Sequence, residues 1–402
     1  MRPFDGRRVL LGISGGIASY KSAWLARLLT LAGASVDVVM TRAATEFIGP
    51  VTLEALTGRV AYHDLFASGR ALAHIRLARE AELVIVAPAT ADLLARTASG
   101  MADDLLTTTL LATSAPVLLV AAMNDHMWAH PQTGRNVAHL RQLGYRVLDP
   151  DVGPLAEGPS AAPGRMPEPE TIMAYAARLL EAPSLASRRV VVTAGPTREP
   201  LDPVRFISNR STGKMGVAIA SAAWRRGADV TLIAGPLETP PPPDISLVSV
   251  ETTDQMAAAV QSAVADADVL VMAAAPADVR PAHPAGRKLA KRELPTTLDL
   301  ALTTDILRTT RAHRREGQIV VGFALETGAA GAADKARAKM HDKALDIIVL
   351  NDATEPGAGF GVDTNRVTIL RRDGDAVELP LLSKHAVADA ILDDVEGLLR
   401  AR

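Results

Sequence analysis

The chain has 402 residues, too many for one ordinary hydrophobic core and suited to two or three domains. Its formal net charge of -2 excludes a basic field for nucleic acid. It contains no cysteine, which excludes disulfides, thiolate zinc sites, iron–sulfur clusters and a cysteine nucleophile.

The first residues, Met1-Arg2-Pro3-Phe4-Asp5-Gly6, lack a signal-peptide apolar core, and no apolar run is long enough to span a bilayer. A soluble, cytoplasmic protein is expected. Residues 9–13 read as a strand, Ser14-Gly15-Gly16 as a tight turn, 17–32 as a helix ended by Gly33, and 36–40 as the next strand. That βαβ order predicts a parallel, doubly wound sheet. The turn departs from Gly-x-Gly-x-x-Gly, and no acidic residue ends the second strand. A mononucleotide phosphate at the helix start therefore fits better than a dinucleotide.

Thr41 either holds the same phosphate or caps a helix around 43–47. Residues 83–89 read as a buried strand running into Thr90, and 117–122 as another before Asn124. Both polar residues fall beyond strand carboxyl ends, where open parallel sheets place ligands. His74 is a lone histidine, structural, solvated or catalytic. From 149 to 169 the periodicity is lost and Gly, Pro and Ala accumulate, which reads as a flap. A closing helix at 170–181 and a linker at 183–188 then divide the chain into domains 1–182 and 189–402.

The densest signal is 189–216. A β-branched strand leads into Gly195-Pro196-Thr197, then Arg198, Glu199 and Asp202 set among prolines. Asn209, Ser211, Thr212, Gly213 and Lys214 precede a helix starting near Met215. Donors and a glycine at a helix start suit an anion; the alternative is a long surface loop with a good N-cap. Helices are expected at 217–226, 253–265, 333–343 and 383–399, and strands at 229–234, 246–250, 269–275, 319–326 and 347–351. A hairpin turns at Asp373-Gly374. This predicts a second α/β sheet with a β appendage. Lys288 sits in a polar loop, and Lys339 and Lys343 share a helix face; they are either solvated or aimed at a triphosphate.

Several of these stretches resemble one family over nearly the whole chain. In the first half they are Gly12 to Ala18, His74-Ile75, Ala87-Pro88-Ala89-Thr90-Ala91, Gly100 to Leu105, and Ala122-Met123-Asn124 with Met127. In the second half they are Ala194 to Gly216, Ala273 to Asp278 with Arg280-Pro281, Gly322-Phe323-Ala324, and Lys339 with Lys343. The family is the bifunctional phosphopantothenoylcysteine decarboxylase / phosphopantothenate–cysteine ligase of coenzyme A biosynthesis.

The resemblance implies a flavodoxin-like or Rossmann-like flavoprotein domain of the HFCD type, followed by a Rossmann-like ligase domain. It implies FMN held by Ser14, Gly15, Gly16, Ile17, Thr41, Ala89 and Thr90. His74 becomes the base for the substrate thiol, and Asn124 the holder of its carboxylate without a neutralising charge. Glu157 stands where many members carry a flap cysteine and is expected to donate the last proton.

For the ligase half the resemblance implies CTP and Mg2+, with an acyl cytidylate as intermediate. Asn209 then contacts the acyl group and Lys288 reaches over it. Met272, Ala273, Ala274, Asp278, Thr304, Asp305, Ile306, Leu307, Phe323, Lys339 and Lys343 line the nucleotide site. Pro276 and Leu289-Ala290-Lys291 depart from the family pattern. Metal ligands stay unassigned. The partners implied are phosphopantothenate, cysteine and CTP, with no nucleic acid or membrane. Homo-oligomers are expected, trimeric in the flavin half and dimeric in the ligase half.

Two rivals exist. A nicotinamide-dependent oxidoreductase would use the Ser14-Gly15-Gly16 turn, but the missing acidic residue argues against it. A flavin-binding regulatory protein, or a ligase with an impaired decarboxylase half, is suggested only by Glu157 in place of cysteine.

Overall fold

The computed structural model describes residues 3–326, 331–352, 354–355, 357–359, 361–374 and 376–402. The chain separates into two units, Met1–Ala182 and Pro183–Arg402.

In the first unit the strands are β1 (Arg8–Ile13), β2 (Ser35–Met40), β3 (Ala61–Tyr62), β4 (Leu83–Ala89), β5 (Val117–Ala121) and β6 (Arg146–Leu148). They form one parallel sheet in the order β3-β2-β1-β4-β5-β6. Helices cover both faces, so strands such as β4 are apolar and buried at every position. Each buried Leu, Ile or Val contributes about 1.5–3 kcal/mol, and the core runs through Leu10, Val84, Leu93, Leu106 and Leu119. The strand order reverses between β1 and β4, which opens a crevice at their carboxyl ends. The expected helix at 43–47 is a 3-10 turn, Arg42–Glu46. Within the flap, β7 (Asp151–Val152) and β8 (Pro163–Arg165) pair antiparallel.

In the second unit the strands are β9 (Arg189–Ala194), β10 (Arg198–Pro200), β11 (Phe206–Ser208), β12 (Asp229–Ala234), β13 (Ser246–Ser249), β14 (Val269–Met272), β15 (Val279–Pro281), β16 (Leu300–Leu302), β17 (Ile319–Glu326), β18 (Ile347–Asp352), β19 (Thr364–Asn365), β20 (Val367–Arg371), β21 (Ala376–Glu378) and β22 (Leu382–Ser383). The main sheet has the order β13-β12-β9-β14-β17-β18-β20-β21. It is parallel from β13 to β18, and the hairpin β20–β21 extends its edge antiparallel. That hairpin is the β appendage. The order reverses between β9 and β14, which sets a second crevice. The dense 189–216 segment supplies β9, the small hairpin β10–β11 and the helix Lys214–Arg225. Gly216 lets this helix lie on the sheet, because a Cβ there would stand 2.7 Å from the Thr193 carbonyl oxygen.

Candidate functional site

A cavity of about 870 Å³ opens at the β1–β4 crevice, within the roughly 300–1,000 Å³ range of cofactor pockets. One wall is the turn after β1. Ser14 is buried; its hydroxyl donates to the Pro88 carbonyl at 2.8 Å and accepts from the Thr90 N–H at 3.0 Å. The turns after β1 and β4 are thereby tied together. Gly15 passes so close to the β2 exit that a Cβ would meet the Ala43 Cβ at 2.4 Å. The helix Ser19–Leu31 begins at this wall without any side-chain cap, the Ser19 and Lys21 N–H groups donating to the Gly16 and Ala18 carbonyls, both at 3.0 Å. Thr41 caps the turn that follows β2, its hydroxyl accepting from the Ala44 N–H at 3.2 Å, and it also lines the cavity.

The opposite wall is Asn124 and the flap. Asn124 caps the short helix Asp125–Ala129, its Oδ1 accepting from the His126 N–H at 2.9 Å. That fixes the amide, and its Nδ2 donates to the Glu157 carboxylate. Ser160 donates to Asp125 Oδ2 at 2.5 Å and holds that carboxyl below the usual carboxylate range. At the flap's far end the Met123 N–H donates to the Gly164 carbonyl at 3.1 Å. Glu157 itself is exposed, so the flap of one chain does not shut it away from water.

Of the flavin-side residues, Gly15, Gly16, Ile17, Thr41 and Thr90 line the cavity with Asn124 and Glu157. Ser14 and Ala89 lie just behind the wall, both buried. His74 is not among the lining residues. It sits in the helix Ala73–Glu80 with Nδ1 buried and without a hydrogen-bond partner.

In the second unit the β9–β14 crevice gathers much of the predicted nucleotide set. Asn209 Nδ2 donates to the carbonyls of Ala275 and Pro276 at 3.1 and 2.9 Å, which seats the 209–213 loop on the β14 exit. Thr193 Oγ1 accepts from the Ala274 N–H at 3.1 Å. The Thr303 N–H donates to the Asp278 carbonyl at 3.0 Å, bringing the Thr304 to Leu307 turn alongside. Lys343 pairs with Asp305 at 2.9 Å, and Lys339 donates to the Phe323 carbonyl at 2.8 Å. Burial, then the Lys343 ammonium, push Lys339 below the usual lysine range, while Asp305, Glu326 and Asp278 pull it back. Lys288 is exposed on its loop.

Glu199 and Asp202 are buried and serve the backbone: Glu199 accepts from the Thr253 N–H and hydroxyl, both at 2.8 Å. Asp202 accepts from the N–H groups of Val204, Arg205 and Leu289. Lys214 turns from the crevice to Asp363 and the Gly361 carbonyl, at 2.8 and 3.1 Å. A smaller cavity of about 420 Å³, lined by Gly235, Pro236, Leu237 and Leu247 among others, holds none of the predicted nucleotide residues. Among the described residues no cluster of three or more His, Asp or Glu is placed to hold a metal ion, and no helix is long and apolar enough to cross a membrane.

Residues 2–181 match the family described as Flavoprotein, and residues 185–398 match the DNA/pantothenate metabolism flavoprotein C-terminal domain. The chain is 47% identical over 407 residues to the coenzyme A biosynthesis bifunctional protein CoaBC of Mycobacterium bovis, covering 98% of this chain and 97% of the relative. The chain belongs to the CoaBC family. It is 45% identical over 401 residues to CoaBC of Bacillus subtilis, with 98% of each covered. A crystal structure of a CoaBC C-terminal domain aligns at 38% identity and a TM-score of 0.47, covering 55% of this chain and all (100%) of that one. A structure of the FMN-dependent cysteine decarboxylase SpaF aligns at 31% identity and a TM-score of 0.39, covering 44% and 98%.

CoaBC membership puts two enzymes in one chain, the flavoprotein family on the first unit and the pantothenate-metabolism family on the second. Within this CoaBC chain, sequence reasoning overlooked Lys21, whose ammonium is buried on the cavity wall. It donates to the Met166 carbonyl at 2.8 Å and to Glu168 at 3.1 Å, anchoring the flap's end. A lysine inside an apolar helical stripe was the available signal. Arg96, held by Asp92, Asp103 and Asp104, was also overlooked.

Proposed function

We propose that the first unit binds FMN and decarboxylates 4'-phosphopantothenoylcysteine to 4'-phosphopantetheine, and that the second makes that substrate from 4'-phosphopantothenate, cysteine and CTP. The Asn124–Glu157 contact inside the 870 Å³ cavity carries the first half of this reading. The tight approach of Gly15 to Ala43 and the uncapped helix start fit a flavin's single phosphate. FMN, when bound, supplies reversible two-electron oxidation of the thiol, which makes the adjacent carboxylate a leaving group. Asn124 holds that carboxylate by hydrogen bonds alone, so no ion pair stabilises the ground state. Glu157 is positioned to return a proton when the flap covers the site.

His74 does not line its own chain's cavity, so as base for the thiol it serves the cavity of a neighbouring copy. Exposed Ile17, Tyr20, Trp24 and Leu31 beside the cavity offer an apolar face for that assembly. In the second unit Lys339 and Lys343 would face the triphosphate, and Mg2+, if bound with it, would offset part of its negative charge. Attack of the phosphopantothenate carboxylate on the α-phosphate expels pyrophosphate and gives an acyl cytidylate, and attack of the cysteine amine on the acyl carbon then expels CMP. Asn209 and Lys288 hold the acyl phosphate, where charge accumulates. A coupled assay with phosphopantothenate, cysteine and CTP, following pyrophosphate and CO2 separately, tests both halves. Pyrophosphate without CO2 would reject the decarboxylase and leave the ligase standing.

A further inference from the structure

Asn124 has one amide nitrogen to offer, and in this structure it is engaged. Its Oδ1 is committed to the backbone of the helix Asp125–Ala129, accepting from His126 at 2.9 Å and Met127 at 3.4 Å, so the amide cannot turn over. Its Nδ2 donates to Glu157. If Asn124 also receives the substrate carboxylate on its second N–H, two carboxylates are brought together at one uncharged NH2 group.

Three of the cations on the cavity wall already have carboxylate partners. Lys21 and Arg165 are both paired with Glu168, and Arg96 with Asp92, Asp103 and Asp104. Arg42 follows β2, which lies three strands from the β5 end that carries Asn124. Of the other neighbours, Asp125 adds a further negative charge next in sequence, held ionised by Ser160, with His126 beside it. Substrate filling the cavity removes the water that screens these charges. Two carboxylates sharing such a site do not both stay ionised. An α-carboxyl is a stronger acid than a glutamate side chain by roughly one pH unit.

We infer that the substrate carboxylate takes over the Asn124 amide and that Glu157 picks up one proton from solvent as it does so. The inference rests on the decarboxylase reading above. Its proton balance closes. Net decarboxylation, R–CO2⁻ + H⁺ → R–H + CO2, consumes one proton. The C–CO2 bond breaks and its electron pair stays on the carbon framework. The Glu157 O–H supplies the proton that makes the new C–H bond. Glu157 ends as a carboxylate and returns to the Asn124 amide, now vacated. The flap residue is thereby loaded by the group whose loss it later compensates.

The test is calorimetric titration of the FMN-loaded protein with the alanyl analogue of the substrate. That analogue keeps the carboxylate but has hydrogen in place of the thiol, so it cannot turn over. Binding is measured near pH 7 in buffers of different ionisation enthalpy. The expected result is uptake of about one proton per site. The analogue lacking the carboxylate takes up none, and Glu157→Gln takes up none while still binding the alanyl analogue. Binding without proton uptake, or equal uptake by Glu157→Gln, overturns this inference and leaves the site reading intact. An alanyl analogue that does not bind overturns both.

Discussion

The Leu289 N–H donates to Asp202 Oδ2 over 3.2 Å. Through that bond the β10–β11 hairpin holds the loop that carries Lys288. The same carboxylate accepts from the Val204 and Arg205 N–H groups at 2.8 and 2.9 Å and from the Arg205 guanidinium at 2.5 Å. Burial opposes its charge, but these donors outweigh burial and keep it ionised below the usual carboxylate range. Asp202→Ala leaves several donors unpaired and frees the Lys288 loop. Pyrophosphate release is expected to fall roughly ten- to hundred-fold, with CO2 release from ready-made phosphopantothenoylcysteine unchanged. Equal loss of both activities would mean that Asp202 supports only folding.

Glu157→Gln keeps the shape of the flap residue and removes its proton. Phosphopantetheine formation is expected to drop by about 10²- to 10⁴-fold, while the ligase half keeps its rate. Product appearing at the wild-type rate takes Glu157 out of the chemistry.

The Ser160–Asp125 bond should be lost on acidification. A carboxyl held below its usual range contributes stability above its unfolded value, and that contribution disappears as pH falls through the folded one. Ser160→Ala is therefore expected to loosen the flap at neutral pH and to flatten the acid limb of flap opening. Proteolytic nicking between Pro154 and Ala162 reads this directly, and Ser160→Thr should restore protection. Unchanged nicking in Ser160→Ala would show that other contacts close the flap.

Lys339 gives the same pH trend from a group of opposite charge. Its folded value lies below the ordinary 10.5, so charging it costs stability, and stability rises with pH through the window between the two values. A bound triphosphate favours the charged form. CTP affinity should therefore weaken as pH rises through the lowered Lys339 value, and Lys339→Met should bind CTP more weakly with a flatter pH profile. Calorimetric CTP titrations over pH decide it; a Lys339→Met variant with wild-type affinity would place the triphosphate elsewhere.

Gly235 lies under the turn after β9. A Cβ there would sit 1.8 Å from the Pro196 carbonyl oxygen, a backbone atom that cannot swing aside. Gly235→Ala should cost about 1–3 kcal/mol, seen as a lowered unfolding temperature of the second unit while the first keeps its own. An unchanged transition would show that the turn yields.

Much of the fold was legible because the strands are long apolar runs with both faces covered. β1, β4, β5, β9, β14, β17 and β18 announce themselves in that way. The short strands β3, β6, β15 and β16, of two or three residues, carry no period of their own and exist only through their neighbours. The turn at Ser14 to Ile17, Thr90 and Asn124 were legible as polar residues at strand ends. The buried state of Glu199 and Asp202 was not, since an acidic residue among prolines looks the same whether it faces water or a ring of N–H groups.

The sequence by itself determined two doubly wound units, their order, and the polar residues that close each strand, because hydrophobic period and turn chemistry are local properties. The tertiary structure decided which of those residues meet. It brought Glu157 to Asn124 and Asp202 to Leu289, sent Lys214 to Asp363, and left His74 off its own chain's cavity wall. Those outcomes depend on strand order and loop paths, which set distances between residues far apart in the chain and leave no trace in local composition.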